Sequence, residues 1–106
     1  MNRQQQIDEF LLKAHQLALT RLRAHPERLQ DGQDLLTRWR LQDKQTRSDS
    51  YWDEWSALLA FSVDGIEHKV GGSDDHAGAL RNVSPMSVLI TQQERGALLR
   101  EVRQFP

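Results

Sequence analysis

The sequence predicts an all-α fold, one small helical domain spanning residues 1–106 that pairs as an intertwined homodimer. Three observations predict it. Apolar residues recur at helical spacing along most of the chain. Capping signatures precede several of the apolar runs. The first run is apolar on more sides than a single small core requires. A chain of 106 residues fits one domain, and 38% hydrophobic against 27% charged residues gives it a thin core. A second copy would add the missing apolar surface, and two-fold dimers are the commonest arrangement.

The first helix is expected over about Gln4 to Ala24. Ile7, Phe10, Leu11, Ala14, Leu17, Ala18 and Leu22 share a wide face, which Leu12 and Leu19 widen further. Arg21, Arg23 and His25 favour its carboxyl end, and Pro26 closes it. A second helix is expected within Pro26 to about Lys44. Leu35, Leu36 and Trp39 form its buried stripe, and Gly32 is a weak point. Asp43 to Ser50 reads as a polar helix end and loop.

A third helix starts near Ser50, with Ser50 and Asp53 as a cap pattern. Tyr51, Trp55 and Leu58 fall on one line, with Trp52 and Leu59 beside it. The stretch 61–70 is ambiguous. Asp64-Gly65 between alternating residues suggests a short hairpin, while Ile66 and Val70 suit a short helix capped by Asp64. The helix is preferred, because an isolated hairpin this small is marginal. Gly71-Gly72 makes a turn, and Ser73, Asp74 and Asp75 open a short helix through Arg81. Pro85 starts another turn. Thr91 and Glu94 form a capping box for a last helix to about Gln104, with Leu98, Leu99, Val102 and Phe105 as its stripe. Arg95 falls on that apolar side, where a buried carboxylate or carbonyls are expected to hold it.

Composition narrows the function. The chain has no cysteine, which excludes disulfides, thiolate metal sites and a cysteine nucleophile. No apolar stretch approaches the roughly 20 residues of a membrane span, and the polar start has no signal-peptide core. The expected compartment is the cytoplasm. Formal net charge is -1, divided unevenly. Residues 1–50 hold nine Lys and Arg against seven Asp and Glu; residues 51–106 hold five against eight.

The basic half contains the main functional signal, Thr37 to Arg47. If helical throughout, Arg40, Lys44 and Arg47 share a face, with Arg38 near it. Such a row suits a phosphate backbone, whose counterions it displaces. Arg21, Arg23 and Arg28 extend the patch if the first two helices pack side by side, and a dimer doubles it. The alternative is a solvated helix face. Phe10, Leu17, Trp39, Trp52 and Trp55 are the expected dimer contacts; Trp is enriched at interface centres and also fills cores.

No chemistry is legible. There is no G-x-S-x-G, and Gly71-Gly72-Ser73 is neither a phosphate loop nor a dinucleotide fingerprint. His68, Asp74, Asp75 and His76 have metal-ligand types but lack the spacing. His15 has no catalytic neighbour in sequence. No enzyme activity, cofactor, metal or small-molecule substrate is expected.

Trp55 with Leu58-Leu59, Leu80-Arg81, Ser84-Pro85, Leu89, Glu94-Arg95 and Leu98-Leu99 form a pattern in the second half. It resembles a group of small bacterial proteins found with plasmid and conjugative-element genes. Met86 stands where that group usually has an aromatic residue. The resemblance implies a small dimeric accessory protein that binds double-stranded DNA and regulates transcription, near transfer or secretion genes. It implies no catalytic residues; Arg81 and Glu94-Arg95 serve as a structural signature as readily as a site. The rival reading is a protein-interaction module, an antitoxin-, adaptor- or chaperone-like dimer without nucleic acid.

Overall fold

Asn2 starts the first helix with a reciprocal cap. Its side chain accepts from the Gln5 N–H at 2.8 Å, and the Gln5 side chain accepts from the Asn2 N–H at 2.9 Å. The helix, α1, runs Arg3–Ala24. In the computed structural model, residues 2–42 and 49–103 are described. After α1 come a 3-10 turn at Pro26–Arg28, then α2 (Leu29–Gln42), α3 (Asp49–Phe61), α4 (Val63–Val70) and α5 (Asp75–Asn82). A 3-10 helix at Pro85–Leu89 and α6 (Gln92–Arg103) complete the order. The domain is all-α, with no strand among the described residues. None of the described helices is long and apolar enough to cross a membrane.

The boundaries follow from local chemistry. Proline at a first helical position suits a tight turn, so Pro26 opens 3-10 structure and α2 begins three residues later. Gly32 does not break α2. The 61–70 stretch is helical, not a hairpin, and its cap is Ser62, whose hydroxyl accepts from the Gly65 N–H at 3.1 Å. Asp64 instead sits in the first turn. Asp74 caps α5, accepting from Ala77. The expected Thr91–Glu94 box opens α6, with Thr91 N–H on Glu94 at 2.8 Å and Glu94 N–H on Thr91 at 3.1 Å. Helix α3 starts at Asp49, one residue before the expected Ser50. Phe105 lies outside the described residues.

Helix α1 is the central post. The 85–89 helix, α4, α5 and α6 all pack on it, and α3 closes the far side against α2, α4 and α5. The main core joins Leu19, Leu22, Leu36, Trp55, Ile66 and Leu80 with Met86 and Leu89. A second cluster, Phe10, Ala14 and Val102, ties α1 to α6. Trp55 is fully enclosed, and its Nε1–H donates to the Leu80 carbonyl at 2.9 Å, fastening α3 to α5.

One charged contact closes the ring of helices. Arg21 on α1 makes two parallel bonds to Glu94, at 2.7 and 2.6 Å, and donates to the Leu89 carbonyl at 2.7 Å. Bidentate guanidinium–carboxylate geometry fixes orientation as well as distance. Arg21 first, then the Thr91 N–H, hold the Glu94 carboxyl down to about 2 from its ordinary 4.5.

Three outcomes follow. Trp55→Phe removes the buried bond to Leu80, whose carbonyl keeps only the longer 3.3 Å bond from the Val83 N–H, and leaves a void where the larger ring stood; chemical denaturation should show a loss of about 2 kcal/mol. Gly32→Ala should stabilise by roughly 0.5–1 kcal/mol, since helical glycine costs that much. The added methyl meets only Leu59, at an ordinary 3.5 Å; a loss of stability on this change would contradict the packing described. Because folding depresses the Glu94 pKa, its contribution is complete above pH 4.5 and disappears as pH falls toward 2. Glu94→Gln should flatten the stability–pH curve in that window and leave its shape at higher pH unchanged.

Candidate functional site

The basic surface expected from sequence is largely neutralised within the chain. Arg40 pairs with Asp53 and reaches the Ser56 hydroxyl at 3.3 Å. Arg23 pairs with Asp64 at 2.9 Å and with Glu67. Arg28 pairs with Asp31 at 2.9 Å and donates to the Val88 carbonyl at 3.4 Å. Arg21 is committed to Glu94. Arg38 is exposed and pairs with no acid among the described residues. Lys44 and Arg47 lie outside the described residues. Apart from Asp31, these acids come from the second half, so the charge asymmetry of the two halves is spent internally.

The expected dimer contacts also divide. Phe10, Trp52 and Trp55 are buried in the chain's own core; Leu17 and Trp39 are half-buried. Trp55 is fully enclosed within the chain's own core.

The feature that sequence reading missed is a cavity of about 270 Å³ between α1, α2, α5, the 85–89 helix and α6. It lies along the seam of the two cores, bordered by Phe10 and Ala14 from one and Met86 from the other. Ile90 packs against both. Its polar wall consists of His15, Arg81, Asn82, Ser84, Ser87 and Arg95.

Two guanidinium groups line this space, and among the described residues no Asp or Glu does. Arg81 is 8% exposed. Its Nη1 donates to the carbonyls of Val70 at 2.5 Å and Gly72 at 2.8 Å, which gives it dipoles but no counter-charge. Among the described residues, neither a carboxylate nor a carbonyl holds Arg95, contrary to the sequence expectation. Its guanidinium instead lies 5.6 Å from the Phe10 ring centre, at cation–π distance. A buried cation without an anion is costly, so the wall is poised for negative charge.

His15 adds an unmet acceptor. It is 5% exposed and stacks on Trp55 with centroids 6.2 Å apart. Nδ1 lies 2.7 Å from the Leu11 carbonyl. A carbonyl only accepts, so Nδ1 carries the proton and Nε2 presents a lone pair, which has no partner. Burial foremost, with the charge of Arg81 adding to it, pushes the imidazole pKa down to about 4. The ring is thus neutral at physiological pH. Ser84 accepts from the Met86 N–H at 3.0 Å, and neither Ser84 nor Ser87 bonds to His15. The cavity holds no nucleophile–base pair.

The acidic and histidine cluster does other work. His76 bonds Glu54 at 2.8 Å, and Asp74 caps α5. Among the described residues, no group of three or more His, Asp or Glu is placed to hold a metal ion.

His15 yields a pH signature. Its folded pKa lies below the unfolded 6.5, so the unfolded chain takes up the proton first. Stability should be complete above about pH 6.5 and decline as pH falls toward 4, by about 3 kcal/mol in all. His15→Leu should abolish that decline while leaving the Glu94 step at lower pH. Urea melts across pH 4–7 that show the same slope in both proteins would refute the buried neutral imidazole.

No family model, curated protein or solved structure matches the chain.

Proposed function

We propose that this protein is a non-enzymatic binding domain whose seam cavity takes a small anion. The observation that supports the reading is that Arg81 and Arg95 both line one cavity, with no carboxylate among its described lining residues. Arg95 can give two hydrogen bonds in a fixed fork, the geometry suited to an oxyanion. Binding a small anion would meet the charge and draw α1, α5 and α6 together. Calorimetric titration with acetate, benzoate, sulfate and phosphate tests it. At least one should bind with 1:1 stoichiometry, and Arg95→Gln should weaken it about tenfold, the usual scale of one charge-assisted bond. If none binds, the reading is lost.

A second reading is DNA binding by a homodimer, as the cationic row and the resemblance to plasmid-associated proteins imply. Arg38, exposed and without an acidic partner among the described residues, favours it. The ion pairs of Arg21, Arg23, Arg28 and Arg40 weigh against it, because each would have to release an acid to meet a phosphate. Binding measured at ~50 mM salt and above should fall linearly on a double-logarithmic plot. Arg38→Ala should reduce that slope by about one. Absence of binding at low salt, or a monomer by sedimentation, removes this reading.

A further inference from the structure

We infer that the cavity's occupant is a small monocarboxylate with an apolar body, not inorganic phosphate. The inference rests on the anion-binding reading and specifies its ligand.

Size comes first. At about 270 Å³ the cavity lies at the lower edge of ligand pockets, which run roughly 300–1,000 Å³. Lining chemistry comes next. Phe10, Leu11, Ala14, Trp39, Met86 and Ile90 make half of the twelve lining residues. Such walls gain from an apolar body and cannot hydrate the remaining oxygens of a dianion.

Charge points the same way. Arg81 already shares Nη1 with two carbonyls, whereas Arg95 has no acceptor. That leaves one guanidinium wholly uncommitted, which matches one carboxylate in bidentate geometry. The Phe10 ring holds Arg95 at the wall without competing for its N–H groups. A carboxylate places its two oxygens on the arginine side and turns its apolar body to the remaining wall.

Calorimetric titration of the full chain with benzoate, hexanoate, benzamide and inorganic phosphate tests this. Benzoate or hexanoate should bind 1:1 with Kd of about 1 mM or tighter. Benzamide, uncharged but equal in shape, and phosphate should bind at least about tenfold more weakly. Arg95→Gln should remove the preference for benzoate over benzamide. Arg95 makes no hydrogen bond or ion pair, so an unchanged melting temperature confirms that this variant folds. Phosphate binding as tightly as the carboxylates overturns this inference and leaves the anion reading intact. Benzamide matching benzoate, or no probe binding, overturns the inference. Sulfate binding in the wider panel would then show that the anion reading still stands.

Discussion

The fold turns on the contact between Arg21 and Glu94, two residues 73 positions apart. Glu94 serves two masters. One oxygen completes the cap that starts α6, and both meet the guanidinium from α1. The same guanidinium takes the Leu89 carbonyl, so the end of the 85–89 helix and the start of α6 are pinned to one point on α1. The seam between the two hydrophobic clusters inherits its width from that pin. Arg95, the next residue along, is thereby delivered beside Phe10.

Local features of the fold were legible where chemistry is local. Asp74 and the Thr91–Glu94 box announce their helices, because a cap is a contact within three or four residues. The long apolar face of α1 is equally plain. The same logic misplaced the cap of α4, since Asp64 and Ser62 are both good candidates and backbone geometry chose the serine. The ion pairs of the basic half were hidden for a different reason. Helical spacing places Arg40 on a face, but it cannot show that Asp53 of α3 faces it from 13 residues away, nor that Glu67 of α4 faces Arg23 across 44. Pairing between elements is a property of packing, to which a helical wheel is blind.

The cavity was half-announced. Arg95 on the apolar side of α6 and Arg81 on α5 are polar residues in apolar company, as is His15 on the inner face of α1. Each has an ordinary structural explanation alone. What could not be read was their convergence, which needs α1, α5 and α6 brought to one seam. The signal, seen afterwards, is three nitrogen-rich side chains on buried faces of three helices with no acid at matching depth.

The central position of α1 also sets the order of assembly. Helices α4 and α5 have eight residues each, too short to persist unaided. Their order therefore comes from packing on α1. Yet α1 is made first, and its partner cluster on α6 arrives only after the intervening helices. At roughly 5–20 residues per second on the ribosome, its apolar face waits several seconds for cover. The chain's most vulnerable moment thus precedes its folded life, and holding α1 clear of other apolar surfaces in that interval is a requirement this topology places on the cell.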